Sequence, residues 1–112
     1  MKVSALVSAY FAEEYLHGRI ANLLGQTPEP EVVVICQEGS KEHEIALQYK
    51  ALVLTTSHIP TIGEAWNFGI IHAMGDYIVI ANSDDRFFEG GIKALSDVLD
   101  NNADVGYVFS DQ

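Results

Sequence analysis

Five short apolar runs alternate with stretches of helical period along the 112 residues, and that alternation fixes the fold class. Val3 to Ser8 is an apolar segment with two serines and predicts a first strand. Leu16, Ile20, Leu23 and Leu24 recur at i, i+4, i+7 and i+8, one face of a helix from about residue 12 to 25. Pro28 and Pro30 follow it, and proline lacks the N–H that a continuing helix needs. Glu31 to Cys36 is β-branched and predicts a second strand. Ser40 suits the N-cap of a helix over Lys41 to Tyr49, and Ala51 to Thr55 predicts a third strand. Thr61-Ile62-Gly63-Glu64 has the form of a capping box, opening a helix that ends near Gly75. Ala65, Gly69 and Ala73 make a small-residue stripe down that helix, which lets it sit close on a sheet. Tyr77 to Ile80 is unbroken in its apolar character, as in a strand covered on both faces. A helix from about residue 89 to 101 and a strand over Val105 to Ser110 complete the order β-α-β-α-β-α-β-α-β. That order calls for one α/β domain over residues 1–112, with a mostly parallel sheet flanked by helices and right-handed crossovers.

Apolar residues make up 48% of the chain, enough for a packed core. Sixteen acidic residues against six basic ones leave a formal charge of −10. The six bases are scattered rather than clustered, which excludes a nucleic-acid backbone as partner. An anionic ligand therefore needs a cation or backbone N–H groups to offset its charge. No apolar run reaches membrane-spanning length and the N-terminus lacks the basic flank of a signal peptide, so a cytoplasmic location is expected. The single cysteine, Cys36, excludes an internal disulfide and reads as a small buried hydrophobe.

Polar groups gather where three predicted strands end: Ser8 and Tyr10, then Glu38, then Asn82 to Asp85. In a parallel sheet these ends share one edge, where open α/β sheets bind ligands. Tyr10 could stack on a flat base, and Glu38 could accept hydrogen bonds from it. Asp84 and Asp85, adjacent anions, could hold a hard divalent metal. Each also has a plainer reading: Tyr10 as a half-buried loop aromatic, Glu38 as turn chemistry, and the aspartates as turn formers or helix caps. Trp66 could pack in the core or cover the crevice. The histidines show no ligand spacing, and His17 and His43 read as solvated.

These segments resemble, in order, the N-terminal half of family-2 glycosyltransferases. Val3-Ser4-Ala5-Leu6-Val7-Ser8-Ala9-Tyr10 is similar to their opening strand, and Leu24-Gly25-Gln26-Thr27 to the "S-x-x-x-Q-T" end of their first helix. Glu31 to Ser40 resembles "E-I-I-V-V-D-D-G-S", and Ala65 to Ile70 resembles "A-R-N-x-G-I". Gly75-Asp76-Tyr77-Ile78 matches "G-E-Y-I", Asn82-Ser83-Asp84-Asp85 resembles the "D-x-D-D" metal motif, and Val105 to Asp111 is like the "V-x-x-V-Y-S-D" strand.

The resemblance implies a Rossmann-like GT-A domain that binds a nucleoside diphosphate sugar with Mn²⁺ or Mg²⁺ and transfers the sugar to an unknown acceptor. Carried over by position, Ser8 and Tyr10 flank the base, Glu38 contacts base or ribose, Asp84 lies by ribose or metal, and Asp85 is the metal ligand. Four positions depart from the family: Phe11 for asparagine, Gln37 for the first Asp of the second motif, Trp66 for arginine, and Asn82 for the first Asp of the metal motif. Family members normally continue through an acceptor half that carries the catalytic base, so none is assigned here. A non-catalytic binding or assembly module that keeps the fold is the alternative. A sheet edge left open by the absent half would suit a second copy or a partner chain.

Overall fold

The computed structural model describes residues 2–81, 91–93 and 97. Four strands, β1 (Val3–Ala9), β2 (Glu31–Gln37), β3 (Leu52–Thr56) and β4 (Tyr77–Ile80), form one sheet in the order β3-β2-β1-β4. Every pair is parallel. β1 runs in register with β2 from Ser4 opposite Glu31 to Ala9 opposite Cys36, and with β4 from Val3 opposite Tyr77 to Leu6 opposite Ile80. β2 runs in register with β3 from Val33 opposite Leu52 to Gln37 opposite Thr56.

Strand alternation divides the core between two faces. Val3, Ala5, Val7 and Ala9 point with Val32, Val34 and Cys36 toward α1 (Leu16–Leu24) and α2 (Lys41–Ala46). Leu16, Ile20 and Leu23, the predicted stripe of α1, are fully buried there. The other face carries Leu6, Val33, Ile35 and Leu54 under α3 (Ile62–His72). The small-residue stripe does what its spacing implies: Ala65 and Gly69 are buried, and a methyl at Gly69 would lie 3.1 Å from both Ile35 and Leu6 side chains. The capping box at Thr61 and Glu64 is complete in both directions.

Several boundaries differ from the periodicity. α1 begins at Leu16, because Phe11 sits in the left-handed region at φ 57 and residues 12–15 first close a turn onto the Ala12 carbonyl. α2 ends at Ala46, and the next residues finish on tighter i→i+3 bonds. α3 stops at His72 because Ala73 is already extended. β4 is covered on one face only: Tyr77 and Val79 pack into the α1 side, whereas Ile78 and Ile80 stay exposed because α3 lies over β1 and β2. His43 is half-buried rather than solvated, its Nδ1 accepting the Gly39 N–H at 3.0 Å. Residues 91–93 and 97 are helical, as expected, with Ile92 fully buried. The last predicted strand lies outside the described residues.

A polar knot ties the sheet at its N-terminal edge. Buried Ser4 donates from Oγ to Glu31 Oε1 at 2.6 Å and accepts the Gly75 N–H at 2.8 Å. Glu31 Oε1 also takes the Met74 N–H at 2.8 Å, and the N–H groups of Asp76 and Tyr77 both donate to the Lys2 carbonyl. Gly75 has no room for a side chain: a Cβ would lie 2.5 Å from Ser4 Oγ and 2.8 Å from Ser4 N. On the α1 side, Gln26 Oε1 accepts the Ile92 N–H at 3.2 Å, fastening the later helix to the end of α1.

Candidate functional site

Because all four strands run the same way, β1, β2, β3 and β4 deliver their C-terminal ends to one edge. Three of those ends meet at Thr56. Its Oγ1 lies 2.6 Å from the His58 carbonyl, which only a hydroxyl donor can satisfy, so its proton goes there. Tyr10 OH, 2.8 Å from the same oxygen, is then the donor to Thr56. The Thr56 carbonyl takes the Glu38 N–H at 2.9 Å. One residue thus sets both the ring that follows β1 and the acidic turn that follows β2.

Tyr10 is half-buried, packed against the core on the α3 side, and burial pushes its phenol above the ordinary value. It stays a neutral hydrogen-bond donor. Ser8 is half-buried on the strand face shared with Leu6. Glu38 is exposed, on a turn held by Ser40, whose N–H and hydroxyl both donate to the Gln37 carbonyl, and by the bond from Gly39 to His43. Gly39 takes φ 79, a left-handed turn that suits glycine. Trp66 packs partly buried in the α3-side core.

On the α1–α2 side of the same edge lies a hollow of about 590 Å³ lined by Phe11, Glu13, Glu14 and Glu42. Glu42 is 8% exposed and accepts the buried Ala12 N–H at 3.2 Å. Cys36 sits behind it with no exposure, its thiol pushed up to about 11 by burial and by the Glu42 carboxylate. It is therefore a packed thiol, not a nucleophile.

The structure brings Ser8, Tyr10 and Glu38 to one edge, as their strand-end positions imply. Asp84 and Asp85 lie outside the described residues. β4 runs toward that edge, and the Ala81 N–H donates to the Leu6 carbonyl at 2.8 Å three residues before Asp84. Among the described residues no group of three or more His, Cys, Asp or Glu side chains is placed to hold a metal. Thr56 and Glu42 were not apparent from the sequence. Only the end position of Thr56 on the third strand could have flagged it, and Glu42 reads there as an ordinary acid in the first turn of a helix.

The profile of glycosyl transferase family 2 matches residues 4–110. The chain belongs to glycosyl transferase family 2. The crystal structure of S. aureus TarS 1-349 superposes with a TM-score of 0.81 at 22% identity, covering 100% of this chain and 39% of that one. A second crystal structure of S. aureus TarS gives a TM-score of 0.78 at 24% identity over 90% of this chain and 20% of that one. Comparison with curated proteins returns no match. The chain thus spans about two-fifths of the first structure and one-fifth of the second. The sheet and its flanking helices have the GT-A arrangement. No helix among the described residues is long and apolar enough to cross a membrane.

Proposed function

We propose that this glycosyltransferase-family domain binds a nucleoside diphosphate sugar along the C-terminal edge of its sheet, for transfer of the sugar to an acceptor hydroxyl. The observation that carries this reading is the meeting of Tyr10 and Glu38 on Thr56, within a chain matched by the family along almost its whole length. Tyr10 offers a ring face anchored at its hydroxyl, fitted to a base, and Ser8 lies beside it on the same strand end. Glu38 offers a carboxylate to base N–H or ribose hydroxyl groups.

Asp84 and Asp85 follow the strand that ends at the same edge, and their oxygen donors fit a hard cation such as Mn²⁺ or Mg²⁺. When bound, such an ion neutralises charge on a diphosphate leaving group. With a net charge of −10, the chain has few cations of its own to offer a diphosphate. Asn82 keeps an oxygen donor but removes one negative charge relative to the family motif.

Calorimetric titration with UDP and with GDP, each with and without Mn²⁺, tests the reading. Binding that tightens with Mn²⁺ is expected, and Asp85→Ala should abolish the metal dependence while leaving the weaker metal-free binding. Absence of heat for both nucleotides, with and without metal, refutes it. Slow hydrolysis of a UDP-sugar would mark a competent centre; nucleotide binding without hydrolysis would mark a binding module on the same fold.

A further inference from the structure

We propose that Glu42 is a positioning residue for the donor site, its carboxylate fastening the Tyr10–Ala12 loop to the start of α2; the inference rests on the donor-site reading above. A carboxylate that is 8% exposed is costly to bury without a partner, and this one spends an oxygen on a backbone N–H thirty residues away in the chain. The donor is equally committed: Ala12 is 1% exposed, so its N–H has no access to water in exchange. Between this bond and Tyr10 stands Phe11, held at φ 57 with its side chain 86% exposed. A non-glycine residue in that conformation is uncommon and persists where its neighbours over-determine the backbone. They do: Tyr10 OH is tied to Thr56 on the α3 side of the sheet, and Ala12 N to Glu42 on the α1–α2 side. The two anchors straddle the sheet edge and leave the Tyr10 ring little freedom to swing. Removing Glu42 frees the far anchor and orphans the Ala12 N–H, so the loop relaxes and the ring loses its preset pose.

Glutamine keeps an acceptor oxygen at the same reach, whereas aspartate keeps the charge but draws it back by a methylene. Hydrogen exchange at the Ala12 amide and calorimetric titration with UDP and GDP in the presence of Mn²⁺ are therefore measured on the full chain as Glu42→Ala, Glu42→Asp and Glu42→Gln. We expect Ala12 exchange to accelerate by at least about tenfold in the alanine and aspartate variants, with nucleotide affinity falling by about five- to tenfold. Glu42→Gln should restore both toward wild type, a rescue that a requirement for charge alone does not give. If the alanine variant does not fold, the aspartate variant carries the comparison. Ala12 exchange at the wild-type rate in Glu42→Asp overturns the fastening. Faster exchange with unchanged affinity overturns the positioning role. A wild-type chain that binds neither nucleotide refutes the donor-site reading and the positioning role with it, while the exchange rates still decide whether Glu42 fastens the loop.

Discussion

Replacing Gly75 by alanine should be among the most damaging single-methyl additions to this chain. The new Cβ would meet Ser4 Oγ at 2.5 Å, Ser4 N at 2.8 Å and the Lys2 carbonyl at 3.0 Å. Two of those three atoms are backbone, and Ser4 belongs to the central strand β1, so no side-chain rotation relieves the clash. The α3–β4 connection must back away from β1, breaking the bond from Gly75 N to Ser4 Oγ and straining the pairing of Val3 with Tyr77. Overpacking of this kind costs about 1–3 kcal/mol, and the lost hydrogen bond about 1 more, giving about 2–4 kcal/mol. With a urea slope of about 1–3 kcal/mol/M, the unfolding midpoint should fall by about 0.7–4 M. Gly63 provides the contrast. It lies in the first turn of α3 with nothing within 4 Å of an added Cβ. Alanine there should stabilise by about 0.5–1 kcal/mol through helix propensity and a less flexible unfolded chain. Urea unfolding of both variants, followed by far-UV circular dichroism, tests the pair. A Gly75→Ala midpoint equal to wild type, or shifts of the same sign in both variants, would refute the close-approach argument.

Tyr10→Phe keeps the ring but gives up the bond to Thr56, one of the two anchors of its pose, so stability should drop by about 0.5–1.5 kcal/mol and nucleotide affinity should fall by about five- to tenfold, as on loss of the Glu42 anchor. Tyr10→Ala removes the stacking face as well and should weaken UDP by about five- to 150-fold in the same titration, corresponding to about 1–3 kcal/mol of base stacking. Wild-type affinity in Tyr10→Ala would remove the ring from the site. Cys36 should resist iodoacetamide at pH 8 in the folded chain and react once urea unfolds it. Its thiol is raised from 9.0 to about 11 in the fold, so the folded chain holds that proton longer than the unfolded chain does. The stability this confers is complete below about pH 9 and is lost as the pH rises toward 11. Denaturation midpoints across that window should fall, and Cys36→Ala should flatten the slope.

Much of this architecture was legible because its signals are local. The β-branched run at Glu31 to Cys36, the one-face spacing of Leu16, Ile20 and Leu23, and the reciprocal Thr61–Glu64 cap each declare an element without reference to the rest of the chain. The small-residue stripe of α3 likewise announced a close contact before any partner was known. Contacts between distant segments were not legible. Nothing at Glu31 or Ser4 in isolation shows that they clasp the turn at Gly75, and nothing at Gln26 shows that it caps Ile92 N–H from 66 residues away. The start of α1 was misplaced because the apolar period says nothing about a left-handed residue at Phe11. The half-open face of β4 was misread for a related reason: four consecutive apolar residues look buried on both sides, and only the lie of α3 shows that Ile78 and Ile80 are not. Among site residues, Tyr10 and Glu38 could be anticipated from strand-end position. The hydroxyl of Thr56 joins them through a third strand, so it emerges only in three dimensions.

That bare pair of isoleucines has a consequence for the chain in solution. Two tendencies oppose each other: exposed aliphatic surface on β4 favours contact with other apolar surface, and a charge of −10 opposes the approach of another copy. The repulsion is long-ranged and fades once the Debye length shrinks to about 10 Å near 0.1 M salt, whereas the attraction between apolar surfaces does not. Raising the ionic strength should therefore weaken the repulsion and leave the apolar attraction in place, a balance that light scattering across a salt series reads out.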